Sequence, residues 1–130
     1  MEMMKKDRIL SKLKAALAKN DRIKFAYLFG SYAENNTTSL SDVDVAVYTD
    51  KVLHVSEKLQ LIHELGKKSG VENLDIVFLN DRRNLLLMDE IIRNGLVLVD
   101  KDSDVRDEFE LTIMHRAVDF KFQRKLFMDV

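Results

Sequence analysis

Cysteine is absent from all 130 residues, which removes disulfides, thiolate metal sites and cysteine nucleophiles at once. Proline is absent too, and glycine occurs only at Gly30, Gly66, Gly70 and Gly95. Punctuation this sparse argues against flexible linkers and low-complexity segments. No apolar stretch approaches the roughly 18 residues of a membrane span. The opening MEMMKKDRILSKLKAALAKN is charged throughout and lacks a signal-peptide core, so the reading is a soluble, cytoplasmic protein with no membrane partner. Nor does one sign of charge dominate: Lys and Arg number 21 against 22 Asp and Glu. No basic field announces a nucleic-acid groove, and direct nucleic-acid binding is not expected. There is no internal repeat, and the length suits a single domain spanning 1–130.

What is present is alternation. Residues 5–19 carry Ile9, Leu10, Leu13, Ala16 and Leu17 at helical spacing. The run 23–29, IKFAYLF, is β-branched and aromatic and stops at Gly30, as a buried strand does. A second strand is predicted over 43–48. A helix over 54–68 follows, with Val55, Leu59, Ile62 and Leu65 as its apolar stripe. Then come a strand over 74–79, a helix over 83–93 stopped by Asn94-Gly95, and a short strand over 96–99. Strands and helices in this order predict an α/β (α+β) domain: a small mixed sheet of about four strands with helices packed on it.

The last predicted helix, 104–128, is patterned differently. Phe109, Ile113, Ala117, Phe120 and Phe127 project to one side, and Leu111, Met114, Val118, Phe122 and Leu126 to nearly the opposite side. Two opposed stripes mean that both faces are covered. Either a second chain covers the outer face, making 104–128 a partner-binding element, or the helix is sandwiched inside the domain.

Chemistry concentrates in one stretch, Gly30-Ser31, ten residues, then Asp42-Val43-Asp44. A glycine-serine bend after a strand presents backbone N–H groups suited to phosphate. In a strand, Asp42 and Asp44 share a face because side chains alternate with period two. Paired carboxylates beside a phosphate cradle suit Mg²⁺-assisted phosphoryl or nucleotidyl transfer. An EF-hand is excluded, since a loop from Asp42 has Val47 where glycine is required and Leu53 where glutamate is required. A Walker loop is absent. A third carboxylate, Asp75, interrupts the apolar strand L74-D-I-V-F-L79. A carboxylate buried in a strand is costly without a partner, so Asp75 is expected to join Asp42 and Asp44 around metal; taken alone, it reads instead as a strand-edge residue pointing at solvent. His54, His63 and His115 have no metal-ligand spacing. Tyr27 and Tyr48 read as strand packing, and Tyr32 as a residue able to stack beside a nucleotide.

The pattern G-S-x10-D-x-D followed by a strand aspartate resembles the nucleotidyltransferases of the DNA polymerase β superfamily. More narrowly, G-S-Y-A-E…S-D-V-D-V-A-V, I91-I-R-N-G-L-V-L-V-D100 and the tail R106-D-E-F-E…V118-D-F-K121 are similar to minimal nucleotidyltransferases (MNT) of the antitoxin type, which are paired with HEPN-domain toxins. The resemblance runs from about residue 23 to the end. It implies a polymerase β-like nucleotidyltransferase fold, with Gly30 and Ser31 holding the β- and γ-phosphates of a nucleoside triphosphate. It further implies that Asp42, Asp44 and Asp75 ligate Mg²⁺, two ions in all, and that Asp75 helps to activate the attacking hydroxyl. The implied activity is transfer of AMP from ATP to a tyrosine of a cognate HEPN ribonuclease toxin, within a hetero-oligomer. Two alternatives stand beside it: an antitoxin that neutralises by binding alone, and a small-molecule (aminoglycoside-type) nucleotidyltransferase. Many superfamily members read G-S-x-A-R-G, whereas Glu34 and Asn35 occupy the last two positions here. A phosphate-binding arginine is therefore missing. Asn35 tolerates a left-handed backbone, and Arg82 and Arg83 are another source of positive charge.

Overall fold

The computed structural model describes residues 5–33, 42–81 and 83–128. Glu34, Asn35 and Arg82 lie outside the described residues. Among the described residues, four α-helices and four strands follow in the order α1 (Lys5–Lys19), β1 (Ile23–Phe29), β2 (Val43–Thr49), α2 (Val55–Ser69), β3 (Leu74–Phe78), α3 (Leu85–Asn94), β4 (Leu96–Asp100) and α4 (Ser103–Met128). The strands form one mixed sheet in the order β3-β2-β1-β4. β1 is antiparallel to both β2 and β4, and β2 is parallel to β3. The predicted architecture therefore stands, with boundaries displaced by one or two residues. Leu79 leaves the strand for a 3-10 turn, Leu79–Asp81.

Alternation along the strands supplies two cores, one on each side of the sheet. Val43, Val45 and Val47 of β2, with Ala26 and Leu28 of β1, pack with Leu13, Ala16 and Leu17 of α1 and Leu61 and Leu65 of α2. Each fully buried leucine there contributes about 1.5–3 kcal/mol. Ala46 of β2, with Phe25 and Tyr27 of β1, packs on the other side with Met88 and Ile91 of α3 and Phe109 and Ile113 of α4. Ile23 breaks the alternation and joins the first core, because a register shift separates it from Phe25. Phe25 stacks on Tyr48 at 4.7 Å between ring centroids and meets Phe109 at 5.6 Å, which seats α4 against the sheet.

Two sequence readings change. The buried face of α2 is Leu61, Leu65 and Ser69, whereas Val55 and Leu59 are exposed. Leu65 of the predicted stripe is buried and Ile62 half-buried, so packing against α1 turns the buried face toward Leu61 and away from Val55 and Leu59. Tyr32 is buried in the first core rather than free beside a nucleotide.

At the start of α2 the backbone N–H of His54 donates to Glu57 Oε1 at 3.1 Å, and Arg22 Nη1 donates to Glu57 Oε2 at 2.6 Å. The bond from the His54 amide, then that from Arg22, hold the Glu57 carboxyl at about 2 against an ordinary 4.5. A depressed carboxyl stabilises the fold above its unfolded value and ceases to do so as pH falls through its folded value. Glu57→Gln should therefore lower the melting temperature at pH 7. In a pH series of thermal melts, that deficit should shrink below about 4.5 and vanish near 2.

Candidate functional site

Phe29, Asp44 and Asp75 occupy consecutive positions across β1, β2 and β3, since Phe29 pairs with Asp44 and Asp44 with Asp75. Neighbouring strands lie about 4.8 Å apart, so the two carboxylates are adjacent. They also share a face: Asp44 alternates with Ala46, and Asp75 with Val77, both on the α3–α4 side. Asp42 stands just ahead of β2 and is exposed. Asp44 is half-buried, and burial first, then the charges of Asp75 and Asp42, raise its carboxyl above the usual aspartate range. Asp75 and Asp42 thus both act on Asp44 at the sheet's end.

Gly30 closes this end. The chain leaves β1 through a 3-10 turn, Gly30–Tyr32, with the amide of Ala33 donating to Gly30 O at 3.1 Å. Gly30 has φ +72°, and a Cβ there would collide with the Asp44 carboxylate. Only glycine combines that backbone with so close an approach. The first amides of such a turn have no partner within it, and Ser31, half-buried, lies in the same turn.

One expectation about Asp75 is corrected. It is exposed, because β3 is the edge strand of the sheet, so the cost of burial does not explain its presence. Its pairing with Asp44 does place it with the others. Among the described residues, no three His, Cys, Asp or Glu side chains stand close enough together to hold a metal ion as they are placed. The donor set nonetheless fits a hard divalent cation: carboxylate oxygens alone, mutually repelling, at a half-solvated strand end. Arg83 is exposed after β3.

Residues 11–104 match the family described as Polymerase beta, Nucleotidyltransferase. The chain belongs to that family. The match takes in the Gly30-Ser31 turn and all three aspartates. The nucleotidyltransferase fold is also that of solved structures. A chain of a toxin–antitoxin complex with AMP-PNP superposes with a TM-score of 0.73 at 21% identity, over 97% of each chain. A chain from a complex of tri-AMPylated Shewanella oneidensis HEPN toxin with MNT antitoxin superposes with 0.71 at 19% identity, covering 95% of this nucleotidyltransferase and 96% of the other. A chain of the toxin–antitoxin pair MntA-HepT gives 0.69 at 20% identity, over 93% and 94%. No curated protein sequence matches significantly. Among the described residues, no helix is long and apolar enough to cross a membrane.

α4 packs one face on the sheet and leaves the other uncovered. Phe109, Ile113 and Ala117 are buried against the sheet. Leu111, Val118, Phe122 and Leu126 are 54–62% exposed, and Phe120 and Phe127 are exposed as well. The helix is not sandwiched within the fold, and its outer face is open. Its distal part is tied down by Lys121, whose Nζ lies 3.1 Å from Asp89 Oδ2. Asp89 is buried on α3 and also takes Arg93 Nε at 3.0 Å. A buried carboxylate requires such partners, so this anchor holds the exposed stripe in a fixed place beside the sheet.

Proposed function

We propose that this chain is an Mg²⁺-dependent antitoxin that transfers AMP from ATP to a tyrosine hydroxyl of a cognate HEPN ribonuclease toxin. The observation that carries the reading is the direct pairing of Asp44 with Asp75 beside Gly30, a turn that admits no side chain. The complexes that share the fold, one with AMP-PNP and one with a tri-AMPylated HEPN toxin, supply the donor and acceptor classes.

In this mechanism Gly30 and Ser31 hold the β- and γ-phosphates through backbone amides and the Ser31 hydroxyl. Asp42, Asp44 and Asp75 would hold Mg²⁺, which when bound neutralises charge on the phosphates and polarises them toward attack. Asp75, at the sheet edge, is open to an incoming acceptor and takes the proton of its hydroxyl. The tyrosine oxygen bonds to the α-phosphorus as the bond to the bridging oxygen breaks, and pyrophosphate leaves on the Gly30 side. No enzyme nucleophile is required, because positioning and charge neutralisation supply the rate. Incubation with labelled ATP, Mg²⁺ and the partner toxin should place label on the toxin. A folded protein that persistently transfers none would refute the reading.

The open face of α4 favours a second component, docking of the toxin on Leu111, Val118, Phe122 and Leu126 in a hetero-oligomer. These side chains carry little of the chain's own folding, being more than half exposed. Phe122→Asp should therefore leave the melting temperature within about 2 °C while weakening toxin capture at least about tenfold, measured by biolayer interferometry. Neutralisation by occlusion alone would make the aspartates dispensable. Protection of cells by the Asp42→Asn, Asp44→Asn double variant would then equal that of the wild type.

A further inference from the structure

Where the start of α4 meets β2, Tyr48, Val105, Glu108, Phe109 and Thr112 line a cleft of about 130 Å³. The α4 residues recur every three or four positions, so they form one helical face. Tyr48 supplies the wall from the sheet. It stacks on Phe25 with ring centroids 4.7 Å apart and meets Phe109 at 5.3 Å, so this wall is held from two sides. Glu108 is exposed. Carboxylates near it in the chain are already engaged, since Arg106 bonds to Asp100 at 2.8 Å and to Glu110 at 2.6 Å. Among the described residues, no cation pairs with Glu108 itself.

Volume and lining decide what can enter. Pockets for whole small molecules begin at roughly 300 Å³, so this cleft admits a single side chain. An apolar side chain would cover the Glu108 carboxylate and leave it unpaired, which is costly. A flat cation satisfies both walls, pairing with the carboxylate and packing on the rings. The surrounding charge has the matching sign: residues 100–110 carry six carboxylates against Lys101 and Arg106. No lysine or arginine lines the cleft, so the cation must come from another molecule. Position indicates which. Leu111, where the exposed stripe of α4 begins, lies between Glu108 and Thr112 in the chain, so a protein docked on that stripe also meets the cleft. Tyr48 is four residues along β2 from Asp44, about 13 Å, which separates the cleft from the aspartates.

We propose that this cleft receives an arginine of the partner toxin, its guanidinium bonded to the Glu108 carboxylate and packed on Tyr48 and Phe109. The inference rests on docking of the toxin along α4 and adds to it a charged anchor beside the apolar stripe. A guanidinium can give a carboxylate two parallel hydrogen bonds, so the anchor fixes where on α4 the toxin sits as well as how tightly it is held.

The test is toxin capture by the full chain, followed by biolayer interferometry. Glu108→Gln should weaken capture about tenfold and Glu108→Lys about a hundredfold, with the loss in the dissociation rate. Both variants should melt within about 2 °C of the wild type, since the site is exposed. Replacing the toxin's surface arginines by alanine, one at a time, should find one whose loss equals that of Glu108→Gln and adds little to it when the two are combined. Unchanged capture by both Glu108 variants would overturn the anchor. So would a loss confined to the association rate, since Glu108 would then only steer the toxin, or an arginine scan in which every loss adds fully to that of Glu108→Gln. If Phe122→Asp weakens capture while the Glu108 variants do not, docking on α4 stands and this inference alone falls. A wild-type chain that captures no toxin would refute the docking itself, and the anchor with it.

Discussion

Asp44→Asn is expected to give a folded, more heat-resistant protein that has lost transfer by at least about a hundred- to thousandfold. The two effects share one cause. Burial, Asp75 and Asp42 together raise the Asp44 carboxyl, which means that folding disfavours its ionised form. For a raised carboxyl the sign is opposite to that of Glu57. The penalty is absent at low pH, grows as pH rises through the ordinary aspartate value of 3.8 toward the raised one, and is fully present at neutrality. An uncharged amide of the same shape removes it. The melting temperature of the variant should exceed that of the wild type at pH 7, and the gap should close below about 3.8. Mg²⁺ should raise the wild-type melting temperature and leave that of the variant nearly unmoved, because ligand binding to the native state stabilises it by mass action. A variant that lost activity and stability together would identify Asp44 as a structural residue instead.

Gly30→Ala should nearly abolish transfer without altering any charge. Its φ of +72° disfavours any side chain, and the added Cβ would meet the Asp44 carboxylate. The expected cost is about 1–3 kcal/mol of stability, with transfer nearly abolished because Asp44 must move. Gly70 provides the internal control. It has nearly the same backbone, φ +71°, at the end of α2, with nothing within 4 Å of an added Cβ. Gly70→Ala should cost only the left-handed strain, about 1–2 kcal/mol, and leave transfer intact. Denaturant melts and a transfer assay on the two alanine variants separate backbone strain from displacement of the aspartate. Equal loss of transfer in both would show that the Gly30 effect is stability alone.

The strands were legible because they are buried runs bounded by turn residues. IKFAYLF ends where Gly30 requires a positive φ, and VDVAVY begins where two aspartates interrupt it. The meeting of Asp44 and Asp75 was legible for a similar reason: two strands of one sheet, each carrying an aspartate near its start, pair side by side. Other features depended on tertiary choices that period and composition do not encode. α2 has apolar residues on two faces, and only its contact with α1 makes Leu61 a buried neighbour of Leu65. Asp75 looked internal to an apolar strand, yet β3 is the sheet's edge and leaves it exposed. The open stripe on α4 could not be told from a sandwiched one until the sheet was seen to cover one side only. The cleft beside Glu108 was invisible, since its walls come from Tyr48 of β2 and from residues 105–112 of α4, segments that meet only in the fold. The spacing of Val105, Glu108, Phe109 and Thr112 was the one available signal, and it reads equally well as an ordinary amphipathic helix.

The most direct measurement is an anomalous-difference map from a crystal of the full chain grown with Mn²⁺ and a non-hydrolysable ATP analogue. Density for the cation should lie between the carboxylates of Asp44 and Asp75, within reach of Asp42, with phosphates resting on Gly30 and Ser31. Cation density absent from that end of the sheet, or phosphates bound elsewhere on the chain, would contradict the assignment of this strand end as the centre of nucleotidyl transfer.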